Sequence, residues 1–146
     1  MARRLLSLLA ALTVAGAITG VAAAVAGGSM KTPLLGPNGL AYCDGSGVLD
    51  GSDNGYGFAV INYDKDANTI QATVSVKGLD PNTTYDVRLV QGDDDCFTVD
   101  GNFTTNGRGN GTIFVSEPSV SSHALVAVDD SQNGYDDYYV TATYSY

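Results

Sequence analysis

Hydrophobic and polar residues alternate with a period of two along most of this chain beyond residue 30. The clearest run sets Ile70, Ala72, Val74 and Val76 against Gln71, Thr73, Ser75 and Lys77. Successive side chains of a strand point to opposite faces, so this run predicts a strand with one buried and one wet face. Segments 57–63, 69–77, 83–91, 96–105, 112–117, 123–128 and 138–146 all read as strands. The links between them are turn chemistry: Asp64-Lys65-Asp66-Ala67-Asn68, Gly78-Leu79-Asp80-Pro81-Asn82, Gly92-Asp93-Asp94-Asp95 and Asn106-Gly107-Arg108-Gly109-Asn110-Gly111. Each supplies Gly or Asn for positive φ, or an Asp that caps a turn. The pattern predicts an all-β fold, a two-sheet sandwich of about seven strands. Its core draws on Ile70, Ala72, Val74, Val76, Tyr85, Val87, Leu89, Ala124, Val126 and Val128. Phe97, Val99, Ile113, Val115, Val140 and Ala142 fill the rest.

The N-terminus departs from this pattern. Arg3 and Arg4 precede 24 uncharged residues from Leu5 to Gly28, and Ala24-Val25-Ala26 fits a small-x-small cleavage pattern. Residues 1–26 therefore read as the helix of a signal peptide, and the protein as secreted or exposed at the cell envelope. A membrane contact follows only if that segment is retained as an anchor. Residues 27–56 read as a Gly/Pro/Asp-rich lead and loop, with 29–41 a tether broken by Pro33, Gly36, Pro37, Asn38 and Gly39. Residues 57–146 read as the sandwich domain.

Charge then narrows the partners. Without Arg3 and Arg4 the chain carries five basic and 16 acidic residues, a net charge of −11. Phosphate demands a basic surface, so nucleic acid is not an expected partner. Fifteen of the acids are Asp, a residue of turns and caps rather than helices. Two cysteines, Cys43 and Cys96, are expected to form one disulfide in an oxidising compartment. It ties the lead to the domain and closes a loop of roughly 54 residues, worth on the order of 4 kcal/mol of chain entropy.

The stretch Gly78-Leu79-Asp80-Pro81-Asn82-Thr83-Thr84-Tyr85-Asp86-Val87-Arg88-Leu89 resembles the E–F corner of a fibronectin type III domain, in the pattern G-L-x-P-x-T-x-Y-x-V. Leu79 plugs the core, Pro81 stiffens the corner, and the Tyr85 hydroxyl is free to bond backbone near it. The resemblance covers about a dozen residues and implies an immunoglobulin-like sandwich, without fixing the strand order. The chain is also similar in style to small secreted proteins of actinobacteria.

Candidate chemistry is sparse. Asp50-Gly51-Ser52-Asp53-Asn54-Gly55-Tyr56 is echoed by Asp129-Asp130-Ser131-Gln132-Asn133-Gly134-Tyr135. Oxygen ligands at positions 1, 3 and 5 with Gly at 6 form half a calcium loop, from Asp50, Ser52 and Asn54 and from Asp129, Ser131 and Asn133. Position 12 is Ile61 or Val140 where a bidentate Glu belongs, so the plainer reading is a pair of Asn-Gly turns. Asp93, Asp94 and Asp95, brought beside Asp44 by the disulfide, form a second candidate calcium site. His123 is the sole histidine, too few for a multi-histidine metal site. On paper it joins Ser121 and Asp129 in a triad, without a nucleophile elbow. Tyrosines cluster late, and Tyr138, Tyr139 and Tyr144 serve either packing or a binding face. Asn82, Asn102 and Asn110 fit glycosylation acceptor patterns.

The expected function is a non-enzymatic binding or adhesion module with a protein or glycan partner. Calcium is the one cofactor the loops suggest. The alternatives are a structural subunit that adds residues 29–41 to a neighbour's sheet edge, and a calcium-dependent hydrolase.

Overall fold

The computed structural model describes residues 28–36, 40–41, 47–48, 54–92, 98–130 and 138–146. The strands are β1 (Ser29–Leu35), β2 (Leu40–Ala41), β3 (Gly47–Val48), β4 (Asn54–Asp64), β5 (Thr69–Val76), β6 (Thr84–Val90), β7 (Gly101–Thr104), β8 (Gly111–Pro118), β9 (His123–Asp130), β10 (Tyr138–Val140) and β11 (Tyr144–Ser145). No helix occurs among the described residues, and the fold is all-β. The segment 1–26, read as a signal helix, lies outside them, as do Cys43 and Cys96.

The expected division into two sheets is corrected. One antiparallel sheet runs in the order β7-β6-β9-β10-β1-β4-β5-β8, with β11 also on β9. A short β2–β3 ladder stands apart. The two halves join where β1 meets β10 at Leu35↔Val140. The sheet then curls until its edges meet. A Cβ on Gly101 would lie 2.7 Å from Ile113 Cδ1, and one on Gly111 would lie 2.4 Å from Phe103 Cδ2. The result is a nearly closed barrel in which β7 packs on the inward side chains of β8 without pairing with it.

The strand that joins the halves is the one read as a tether. Residues 29–35 alternate as strictly as any other segment: Thr32 and Leu34 are buried, while Ser29, Lys31 and Pro33 are exposed. The bond from Lys77 N–H to Tyr56 C=O (2.8 Å) continues the β4–β5 ladder. It fixes the even residues of β4 as bonding β5 and the odd ones as bonding β1. Thr32 therefore exchanges bonds with Ala59, and the missing N–H of Pro33 faces away from β4. The register shifts just after it, between Pro33 and Leu35. Proline is tolerated where no ladder bond is lost or at a bulge. Residues 29–35 of the segment read as a tether are thus a strand of the chain's own sheet.

The interior holds the expected apolar faces of β5, β6 and β9, together with Ala59, Ile61, Val115 and Leu34. Of the other expected core residues, Phe97 lies outside the described residues and one expectation fails. Val99 is 43% exposed, ahead of β7. Val140 is buried in a second cluster with Val90, Leu125 and Ala127, on the side of β6, β9 and β10 that faces away from the barrel.

Candidate functional site

The half-barrel β1-β4-β5-β8 presents a regular outward grid. Cross-strand register aligns Ser29, Asn62, Gln71 and Ser116 in one row. Lys31, Val60, Thr73 and Phe114 make the next, and Pro33, Phe58, Ser75 and Thr112 the third. At strand and residue spacings of about 4.8 and 3.4 Å, the grid measures roughly 14 by 14 Å. All twelve residues are exposed or half-buried. Phe114 is 60% exposed. The Lys31 ammonium sits 4.0 Å from the centre of the Phe58 ring, a cation–π contact. Thr112 Oγ1 donates to Ser75 Oγ at 3.4 Å.

The grid is set apart by charge. The whole chain has 16 acidic residues, yet none stands in these rows, and Lys31 is their one ionic group. Hydroxyls, two amides and two phenyl rings remain. An inward face of Ala59, Ile61, Ile70, Ala72, Val74 and Val115 holds the strands from below, all at most 3% exposed.

The opposite half has no such face. Arg88, Val90, Leu125, Ala127, Asp129 and Val140 point outward from β6, β9 and β10, yet each is at most 7% exposed. The Arg88 guanidinium donates to Asp129 Oδ1 in a buried ion pair. Burial raises the Asp129 carboxyl above the ordinary carboxylate range. Arg88 opposes that rise, and the nearby charges of Asp86 and Asp130 add to it.

The remaining predicted site residues fall as follows. Asp44, Asp50, Ser52, Asp93, Asp94, Asp95, Ser131 and Asn133 lie outside the described residues. Asn54 opens β4 and pairs with Leu35, the residue that also pairs with Val140. The strands that follow the two sequence echoes thus flank β1. Asp129 is committed to Arg88. Among the described residues, no group of three or more His, Cys, Asp or Glu side chains is placed to hold a metal. His123 Nδ1 lies 3.3 Å from Ser121 Oγ, but Asp129 is six residues further along β9, roughly 20 Å away. The paper triad does not assemble.

The late tyrosines divide. Tyr138 opens β10. Tyr139 is half-buried, 4.8 Å from Tyr56 and 6.4 Å from Tyr85 between ring centres. Tyr144 is 4% exposed and donates to the Gly28 carbonyl. Tyr146 stacks on Tyr63 at 4.5 Å and on Tyr144 at 5.3 Å. Tyr139 and Tyr144 therefore serve packing rather than an exposed face. Burial raises the hydroxyl pKa of both Tyr144 and Tyr146.

Both barrel ends are secured by bonds to these elements. At one end the Tyr85 hydroxyl accepts from Asp80 N–H at 3.2 Å, the bond expected of a tyrosine corner. Thr105 Oγ1 donates to the Asp80 carbonyl at 2.5 Å and accepts from Thr83 N–H at 3.1 Å. Gly109 has φ +73° and a Cβ there would meet the Leu79 carbonyl at 1.9 Å, so only glycine fits. At the other end Gln91, 2% exposed, stands in for a strand. Its amide donates to the Pro118 carbonyl at 3.0 Å and to Glu117 Oε1 at 2.8 Å. It accepts from Val120 N–H at 3.0 Å and from the Tyr146 hydroxyl at 3.1 Å.

The open grid was missed in sequence because its outward residues were counted only as the wet side of each strand. The signal was present in the lack of acids at those positions. No protein-family model matches the chain, and no curated protein matches it.

Proposed function

We propose that this chain is a secreted or cell-surface, non-enzymatic binding module that takes a neutral glycan on the open face of β1, β4, β5 and β8. The observation that carries the reading is the carboxylate-free grid in an otherwise strongly acidic chain. Hydroxyl and amide groups exchange hydrogen bonds with sugar hydroxyls as donors and acceptors alike. The exposed Phe114 ring offers a flat apolar face to sugar C–H groups, while the Phe58 ring holds Lys31 beside it. The barrel fixes both sets in advance, so little conformational entropy is lost on binding. An anionic polymer is disfavoured by the net charge of the chain.

The test is co-sedimentation of the exported domain with insoluble neutral polysaccharides, namely chitin, cellulose and a β-glucan. Retention on at least one is expected, and Thr73→Asp, which sets a carboxylate in the middle of the grid, is expected to abolish it with an unchanged melting temperature. Retention that survives both Thr73→Asp and Phe58→Ala would place binding elsewhere. Retention on none of the polymers would remove the glycan reading.

A further inference from the structure

The β8 strand has one unpaired edge. Ser119 N–H donates to the Asn68 carbonyl at 2.9 Å, which continues the β5–β8 ladder. Bonding alternates along an antiparallel pair, so the odd residues of β8 bond β5. Thr112, Phe114 and Ser116 turn their N–H and C=O groups the other way. No described strand pairs with them there: β7, the neighbour across the gap, packs on the inner side chains of β8 and is hydrogen-bonded only to β6.

Protection of this edge is confined to its end, where Pro118 puts its missing N–H on the open side and Glu117 precedes it. Native edge strands carry lysine, proline, a bulge or an inward charge that stops a second chain from pairing. Residues 111–116 carry no charge and no proline, and β8 is regular over its whole length. Phe114, at the centre of that stretch, is 60% exposed.

The sequence of the edge names its occupant. Thr112-Ile113-Phe114-Val115-Ser116 reads the same in both directions by chemistry: hydroxyl, β-branched aliphatic, Phe, β-branched aliphatic, hydroxyl. An isologous contact requires that residue i meets j and j meets i. Antiparallel pairing about Phe114 satisfies this, with Thr112 opposite the Ser116 position, Ile113 opposite Val115, and Phe114 opposite itself. Charge points the same way. A chain of net charge −9 repels its own copy over most of its surface, and this edge is a stretch without that penalty.

We propose that the chain forms a two-fold dimer by antiparallel pairing of its β8 edge with the β8 edge of a second copy, centred on Phe114. The pairing joins two grids into one continuous outer surface. If the glycan reading holds, that surface is a bivalent site, and avidity for a repeating polymer follows. The dimer itself does not depend on that reading.

A pairing of this length lies at the small end of interfaces, so the dimer dissociates on dilution, and sedimentation should span about 10 µM to about 1 mM. A doubled mass at the upper end is expected for the wild type. Phe114→Glu, which opposes two carboxylates at the axis, is expected to stay monomeric throughout, while Thr73→Glu, on β5 and so one strand in from the pairing strand, is expected to dimerise. Oxidative cross-linking fixes the register. Phe114→Cys is expected to cross-link with itself. Thr112→Cys and Ser116→Cys are each expected to stay uncross-linked alone and to cross-link when mixed. A wild type that stays monomeric at about 1 mM, or a 112/116 mixture that fails to cross-link, would overturn the proposal. Thr73→Glu, expected to dimerise yet to be lost from polysaccharide, separates failure of the glycan site from loss of the dimer.

Discussion

Two buried polar groups show most directly what single residues contribute. Asp129 is neutralised by Arg88 in a place neither charge would occupy alone. Asp129→Asn leaves a buried guanidinium without its main counter-charge and should cost about 3 kcal/mol in denaturant unfolding. Replacing both, with Arg88→Met and Asp129→Leu, should cost clearly less, because no uncompensated charge remains. A double replacement as damaging as the single one would show that the pair has a role beyond mutual neutralisation. Tyr85→Phe removes the acceptor for Asp80 N–H and should cost about 1 kcal/mol with the fold intact.

The buried tyrosines give a signed pH dependence. Tyr144 and Tyr146 have native pKa values raised by burial, whereas unfolded tyrosine ionises near its ordinary value of about 10. Between those values the native state holds more protons than the unfolded chain. Their contribution is complete below about pH 10 and is lost as pH rises through the raised native values. The melting temperature should therefore fall above that pH, and Tyr146→Phe should flatten the fall. An identical alkaline profile for wild type and variant would contradict the assignment.

Elements show what joins the barrel. The chain from Tyr138 to Tyr146 runs along β9 with one extra residue, since Val140 pairs with Ala127 and Tyr144 with Ala124. That bulge turns Thr141 to accept from Val126 N–H at 3.0 Å. It also leaves Ala142 N–H to donate to Thr32 Oγ1 on β1 at 3.2 Å. The seam between the halves thus rests on side-chain bonds as well as the Leu35–Val140 pairing. Gln91 performs the same office between β6 and β8. Gln91→Leu keeps the volume but removes the acceptor of Val120 N–H and the donor to the Pro118 carbonyl, and should cost about 2 kcal/mol. Faster amide exchange should then be concentrated at residues 117–121.

Much of this was legible in the sequence. Period-two alternation located β4, β5, β6, β8 and β9, and the corner residues announced the Tyr85 bond. Thr32 is why β1 was not read: a hydroxyl in an inward position, beside Pro33, hides the alternation of Met30 and Leu34. Joining two halves into one sheet depends on pairings between residues over 100 positions apart, such as Leu35 with Val140, and local pattern carries no record of them. The binding face was illegible for a related reason. Its rows are assembled across four strands, and each strand supplies only three unremarkable residues.

At the scale of the whole molecule, one half-barrel has a buried outer side and the other presents an uncharged grid. We propose that this grid is the functional surface. The direct measurement is amide chemical-shift mapping of the isotopically labelled domain during titration with a soluble neutral oligosaccharide. Shifts are expected to saturate and to be confined to residues 29–33, 58–62, 71–75 and 112–116 of the four strands. Saturating shifts confined to β6, β9 and β10, or no saturable shifts with any neutral oligosaccharide, would contradict it.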